Sequence, residues 1–566
     1  MYMKVKNYFR RYEQMKKINI SKSTVFKLIA IIVVVLVLGF VVLTMILPQS
    51  QQVSQMGMSA TTQMSTLNSA IQSNKSIGIM AENTDGMMQP VQDEEFNTER
   101  YTHNEENEFK SVKASPVSTF SVDVDTAAYS NIRRYINEGQ LPPSDAVRLE
   151  EMINYFDYKY EDTQDEHPFS THVEITKCPW NEKHELALVN LKAKKIENKE
   201  MPNNNLVLLV DTSGSMSDPN KLPLLKEALK MLVEGLTIKD KISIVTYAGS
   251  EKCLLEGVTA DRKGTIFEAL DNLESGGSTN GEGGIKLAYK IASENFIKEG
   301  NNRVILATDG DLNVGITDPN ELNKFIKDYA DKGVFITTAG FGGGNYNDTS
   351  MEEIANKSNG NYVYIDSEKE AKKVFIEAMT GTLVTVAKDV KIQVEFNPSK
   401  VKEYRLIGYE NRILNTEDFN NDKKDAGEIG AGHTVTALYE LITADSEESI
   451  TKVDDLKYQQ NNVIPSKDWF DLKLRYKKPN ENESKLITYS VTDEMYKTEL
   501  SNNLRFASSV VEWGLLLKDS KYKGNASVEN IISKAQDSAG EDEYKKEFIE
   551  LVKKYKDITS KDNKRE

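Results

Sequence analysis

The chain has 566 residues, of which 39% are hydrophobic and 28% charged, and a formal net charge of −16. That is too long for a single core and implies several domains. The charge is uneven: residues 1–27 hold eight Lys/Arg against one acid, a local +7 that leaves −23 on the remainder. So acidic a body argues against sequence-independent nucleic-acid binding, which needs a basic patch to displace counterions. It suits a cation-binding or cell-surface role better.

In chain order, residues 1–27 read as a basic cytoplasmic tail. Residues 28–47, LIAIIVVVLVLGFVVLTMIL, are twenty residues without a charge, the length that crosses about 30 Å of hydrocarbon as a transmembrane helix. A cleaved signal peptide has a shorter apolar core and ends at a small-x-small site, which Pro48-Gln-Ser-Gln-Gln does not offer. No cysteine follows the run, which excludes a lipoprotein anchor. The basic block ahead of it predicts a single-pass protein at the cell membrane, its N-terminus cytoplasmic and its bulk extracytoplasmic. Residues 48–117, rich in Gln, Ser, Asn and Met and then acidic, read as a flexible stalk with a reach of about 45 Å.

Order is expected from about Val117. A flanking domain, 118–200, should start with a strand near Thr119 and a helix through Ile136 capped by Asp125 or Thr126. A second helix, Ala146–Phe156, and strands within 168–194 follow. Asp123 and Asp125 resemble metal ligands, but Asp at a helix start more often satisfies backbone N–H groups. Residues 201–382 then alternate short apolar strands (Leu206–Val210, Ile242–Tyr247, Val304–Ala307, Val334–Ala339, Tyr362–Ile365) with amphipathic helices. That alternation predicts an α/β domain, a doubly wound, mostly parallel sheet. Residues 383–566 return to strands (Val390–Phe396, Thr434–Leu441, Phe470–Arg475, Leu486–Ser490) and finish in a helical segment. Strands on both sides of the α/β unit suggest one β-sandwich into which that unit is inserted. The two cysteines, Cys178 and Cys253, have no CxxC neighbour. Two buried thiols is the plainer expectation, with one long-range disulfide left open.

In an open α/β sheet, ligands bind beyond the carboxyl ends of the strands. Three segments there carry oxygen-bearing side chains: Asp211-Thr-Ser-Gly-Ser215, Gly276-Gly-Ser-Thr-Asn-Gly281 and Thr308-Asp-Gly-Asp311. None contains His or Cys, and hard oxygens alone suit Mg²⁺, Mn²⁺ or Ca²⁺ rather than Zn²⁺ or Cu²⁺. Asp311 and Asp218 read as solvated loop carboxylates, and Glu282 as an acid at a helix start.

Asp-x-Ser-x-Ser, a Thr in a Gly-rich loop and a Thr-Asp-Gly strand end, in this order, resemble the metal-ion-dependent adhesion site of von Willebrand factor type A (VWA) domains, a Rossmann-like fold. The resemblance implies that Ser213, Ser215 and Thr279 give hydroxyl oxygens to a divalent metal, with Asp211 and Asp309 acting directly or through water. It also implies an open coordination position for an acidic side chain of a protein partner. The flanks, Thr119-Phe-Ser-Val-Asp-Val-Asp-Thr-Ala, Gly139-Gln-Leu-Pro-Pro, Arg148-Leu-Glu-Glu-Met-Ile-Asn-Tyr-Phe, Lys221-Leu-Pro-Leu-Leu-Lys and Leu504-Arg-Phe-Ala-Ser-Ser-Val-Val-Glu-Trp-Gly, resemble bacterial YfbK-type VWA proteins over about residues 118–556. Members of that family often carry a lipoprotein anchor, where this chain has a plain apolar run. The rival classes are a metal-dependent enzyme and a substrate-presenting subunit of a larger complex. Against an enzyme, Ser213 is not in a Gly-x-Ser-x-Gly elbow, and His103, His167, His172, His184 and His433 all lie outside the α/β unit, leaving no evident base. Binding or adhesion is therefore the expected use.

Overall fold

The computed structural model describes residues 97–162, 166–196, 201–310, 319–452, 463–479 and 481–562. The apolar run 28–47, residues 48–96 of the expected stalk, and Asp311 lie outside these. Among the described residues no helix is long and apolar enough to cross a membrane.

The α/β unit is a six-stranded sheet in the order Tyr362–Ile365, Val334–Phe341, Asn301–Thr308, Asn204–Asp211, Lys241–Tyr247, Glu251–Thr259. All neighbours are parallel except the last pair, which forms an antiparallel edge. The central strand Asn204–Asp211 is buried along its whole length, which is why it reads as an unbroken apolar run. Its side chains still alternate in destination. Leu206, Leu208 and Val210 pack with the helices Leu222–Glu234 and Lys263–Asp271 on one face. Val207 and Leu209 pack with Gly281–Glu294 and Asp348–Lys357 on the other. Helices thus cover both faces.

The inserted-unit expectation rested on the two flanks pairing, and they do. Glu185–Ala193 runs antiparallel to Thr434–Thr443 across eight residue pairs. These strands, with Phe169–Lys177, Val401–Ile407 and the short Lys110–Ser111, make one five-stranded sheet. A second sheet contains Thr385–Phe396, Asp468–Lys477, Lys485–Thr492, Gly427–Gly430 and, from the other flank, Val117–Ser121. Ala187, Val189, Ala437 and Tyr439 of the first sheet meet Ile392, Val394, Leu472 and Leu474 of the second in one core. The opposite face of the first sheet, through Leu186, Leu188 and Leu438, packs on Ala127–Asn137, Leu149–Asn154 and the C-terminal helices Asn502–Leu517, Val528–Ala539 and Glu543–Asp562. Strand alternation on a sheet covered twice fixes which residue goes to which layer.

Four sequence expectations need correction. The folded body starts before Val117: Thr98 N–H donates to Gly344 O and Arg100 N–H to Tyr346 O, and Phe109 is buried. Thr126 is the N-cap of Ala127–Asn137 but makes no side-chain cap bond. Instead the Ala128 N–H donates to Glu151 Oε2 from the neighbouring helix. The second helix is shorter than Ala146–Phe156, a single 3₁₀ turn Ser144–Ala146 and then Leu149–Asn154. Cys178 is buried but Cys253 is exposed, and both are free thiols. Cys253 lies in the exposed first half of the edge strand Glu251–Thr259.

Candidate metal site and the family of the chain

The site forms where three strands end together. Asp211 closes the central strand, Thr308 closes its neighbour, and Tyr247 closes the strand on the other side. Parallel pairing brings these ends level: Val210 lies opposite Ala307, and Asp211 opposite Tyr247. Beyond Asp211 the chain turns sharply, and the Ser213 N–H donates to Asp211 Oδ1 at 2.9 Å. The other carboxylate oxygen, Oδ2, accepts from Thr308 Oγ1 at 2.7 Å and from the Tyr247 hydroxyl at 3.2 Å. Burial holds the Tyr247 phenol protonated, with the Asp211 charge adding to the effect, so this hydroxyl stays a donor.

The Gly-rich segment carrying Thr279 is stitched to the first loop by backbone. Gly214 N–H donates to Gly277 O and Gly276 N–H to Thr212 O, at 3.1 and 2.8 Å. Gly277 needs its glycine, since its φ is +86° and its backbone lies against Gly249 and Ala248. Thr279 precedes the helix Gly281–Glu294, whose N-cap Asn280 accepts from the Gly283 N–H. Glu282 lies in the first turn, as expected, and pairs with Lys286. Thus Asp211, Ser213, Ser215, Thr279 and Asp309 all come to one edge of the sheet. Asp211 and Asp309 are fully buried, Ser213 and Thr279 nearly so, and Ser215 is half-buried. Ser213 Oγ and Ser215 Oγ stand 3.0 Å apart.

Asp211 is pushed up to about 6, first by burial and then by the Asp309 charge, against the pull of its hydrogen bonds. A cation placed here would reverse that balance. The donor set fits a small hard ion: adjacent oxygens of an octahedron with 2.0–2.1 Å bonds stand about 3 Å apart, which matches the serine pair. Sequence reasoning missed two residues beside this set. Lys221 Nζ donates to Asp309 Oδ2 at 3.2 Å and to Asn345 Oδ1 at 3.0 Å, and Asn345 Nδ2 donates to the same Asp309 Oδ2 at 3.1 Å. In the sequence Lys221 stands out only within a family segment, and Asn345 carries no signal at all.

The other acidic candidates are not part of this set. Asp123 and Asp125 both pair with Arg412, and Asp125 Oδ1 accepts from the Tyr362 N–H, so they join a flank to the α/β sheet. Asp218 is largely exposed, as a loop carboxylate should be, with its Oδ2 3.7 Å from Lys221 Nζ. Asp389, Asp425 and Glu428 approach closely enough to share a cation, but Lys477 and Lys327 already pair with the first two. The histidines keep to the flanks: His184 contacts Glu440, His103 contacts Asp145, and His172 contacts Ser170.

A von Willebrand factor type A domain model matches residues 205–377, a von Willebrand factor model residues 95–188, and the "Uncharacterized protein YfbK, C-terminal" model residues 381–558. Over 470 residues the chain is 44% identical to the uncharacterized protein YfbK of Escherichia coli (strain K12), covering 80% of each. The chain belongs to the YfbK family. Its α/β unit is that family's VWA domain. Human inter-alpha-trypsin inhibitor heavy chain H3 is 25% identical over 271 residues, 44% of this chain and 30% of that one. Among solved structures, the von Willebrand factor type A protein from Catenulispora acidiphila is similar at 15% identity and a TM-score of 0.38, over 68% of this chain and 90% of that one. VWA domains serve adhesion and protein–protein contact, and relatives of this kind are generally not enzymes.

Proposed function

We propose that this YfbK-family chain is a single-pass membrane protein whose extracytoplasmic VWA domain binds Mg²⁺ at Asp211, Ser213, Ser215, Thr279 and Asp309. The metal grips an acidic side chain of a protein partner. The observation that carries the reading is the donor geometry: two serine hydroxyls 3.0 Å apart beside two carboxylates with no exposure. Neutral hydroxyls leave the ion's charge largely uncancelled, so it retains affinity for an incoming carboxylate, and Mg²⁺ commonly keeps waters that a ligand can replace. Mn²⁺ fits the same donors, and Ca²⁺ would need them to spread. Ser213 and Ser215 hydrogen-bond each other, and no histidine lies in the α/β unit to act as their base, which favours binding over catalysis.

Isothermal titration of the full chain in detergent with Mg²⁺ and Mn²⁺ tests the metal. Saturable heat that disappears in Asp211→Ala supports it; no heat, or heat unchanged in that variant, refutes it. Capture of surface proteins with and without EDTA tests the partner. The membrane part is checked by alkaline extraction of membranes, which should leave the chain in the pellet, and by protease added to intact spheroplasts, which should digest residues 97–566. Release into the alkaline supernatant would end the single-pass reading.

A further inference from the structure

Lys221 is a cation built into the edge of the metal site. It immediately precedes the helix Leu222–Glu234, where a lysine normally extends into water. Here it is 4% exposed, and its ammonium is held between Asp309 Oδ2 at 3.2 Å and Asn345 Oδ1 at 3.0 Å. Its stem is held as well. Gly342 has a φ of +71°, and a Cβ there would stand 2.4 Å from Lys221 Cγ and Cε. Only glycine leaves room for the lysine to lie along this loop. Asn345 completes the clamp by donating to the same Asp309 oxygen.

We infer that Lys221 is a positioning residue that sets the charge of the site, weakening metal binding so that the loaded site retains a positive charge for an anionic ligand. This rests on the metal reading above. Counted as carboxylates, the buried pair Asp211 and Asp309 brings two negative charges and Lys221 returns one; Asp218, 3.7 Å from the same ammonium, is 62% exposed, so water screens its charge. A divalent ion then takes the site from −1 to +1, where without the lysine it would only reach neutrality. The surplus charge is what an incoming carboxylate cancels, so the lysine shifts binding strength from the metal alone to the metal with its ligand. The ammonium also fixes Asp309 through Oδ2, so the carboxylate meets the ion in one orientation. A unit charge a few ångströms beyond contact from a divalent ion is enough, even at a dielectric near that of water, to change affinity about tenfold.

The test compares full-length wild type, Lys221→Met and Lys221→Arg in detergent. Mg²⁺ affinity is measured by isothermal titration. Acetate is then titrated into the Mn²⁺-loaded proteins while water-proton relaxation follows displacement of metal-bound water. The expected result is Mg²⁺ bound about tenfold tighter by Lys221→Met, acetate bound more weakly by the same variant, and both values restored towards wild type in Lys221→Arg. Mg²⁺ bound equally or more weakly by Lys221→Met, in a protein whose circular dichroism is native, would overturn the inference and leave the metal reading intact. Absence of Mg²⁺ heat in the wild type itself would overturn both. Lys221→Gln, with a shorter neutral side chain, supports the same comparison if the methionine variant does not fold.

Discussion

If Asp211 holds the proposed metal, proton and metal compete for it, and its burial sets the pH at which they do so. In the metal-free protein this carboxyl is pushed up to about 6, mainly by burial. A metal needs its ligand ionised, so apparent affinity falls as the fraction ionised falls. Treated as one site, Asp211 is about 10% protonated at pH 7 and about 90% at pH 5, so the Mg²⁺ dissociation constant should rise about tenfold between them. Above pH 7 it should level off. The assay is isothermal titration at half-unit steps from pH 5 to 8 in buffers of differing ionisation enthalpy. Near pH 6 roughly half a proton should be released per metal bound. The sign for folding is opposite. The folded, metal-free chain keeps this proton over a range where the unfolded aspartate, near 3.8, has lost it. Its contribution to metal-free stability is therefore present below about pH 4 and lost as pH rises through about 6. About two pH units of displacement correspond to about 3 kcal/mol. Metal should accordingly raise the melting temperature strongly at pH 7 and weakly at pH 5. An affinity flat from pH 7 to pH 5, or one that collapses only below pH 4, would refute the reasoning.

Other outcomes follow from the packing. Arg133 is 2% exposed and faces Asp366 and Glu370 at 2.5 and 2.7 Å; Arg133→Met strands two buried carboxylates and should lower stability by about 3–5 kcal/mol, read from the urea midpoint. A shift under 1 kcal/mol would mean that this cluster does not hold the joint. At Gly360 a Cβ would stand 1.6 Å from Ile336 O, so Gly360→Ala must displace a sheet strand and should cost about 3 kcal/mol, measured by thermal melt. In the native protein one thiol, Cys253, should react with a maleimide, and slowly, because burial and then Glu256 push it above its ordinary value. Cys178 should react only after denaturation, and two equivalents labelled in native buffer would contradict its burial.

The α/β unit was legible because the middles of its inner strands, such as Leu206–Val210 and Val304–Ala307, are buried on both faces and read as unbroken apolar runs. The sandwich was legible from strand runs on both sides of that unit, and its insertion became certain only when Glu185–Ala193 was seen against Thr434–Thr443. Other strands gave no such signal. Val401–Ile407 carries Glu403 and Arg405, both about 1% exposed. Arg405 pairs with Glu440, and Glu403 takes the Ser449 hydroxyl, so charged residues sit where alternation would demand apolar ones. Glu251–Thr259 is a largely exposed edge, and exposure removes the pattern on which strand reading depends. The helical segment that ends the α/β unit is broken into Glu368–Lys372, a π-helical turn Lys373–Glu377 and Met379–Leu383. Nothing in its composition marks that break. At the candidate site, Asp211, Ser213, Ser215 and Asp309 stood out because they lie in short motifs just at or after strand ends, and Thr279 because it lies in the Gly-rich loop before Gly281–Glu294. Lys221 did not, because a lysine before a helix reads as solvated and its burial is created by a loop over a hundred residues away.

Those partners explain how hydroxyls and carboxylates can crowd together at this edge. An isolated pair of buried carboxylates would drive the loops apart, yet here each is restrained by a strand or loop it does not belong to. Asp211 is held by Thr308 and Tyr247 from the two adjacent strands, and Asp309 by Lys221 and Asn345 from two different loops. The Asn345 loop is tied down in turn from outside the sheet. Glu99 accepts from the Gly344 N–H at 2.7 Å and pairs with Arg134 of the flanking helix at 2.8 Å. Arg148 clamps Asp348, just past the same loop, at 2.7 Å. The flanks therefore do more than enclose a core of their own. By fixing the loop that fixes Asp309, they make the geometry of this edge a property of the whole folded body. A VWA unit cut out at its own boundaries would lose Glu99, Arg134 and Arg148 together, and with them the anchors of the Asn345 loop.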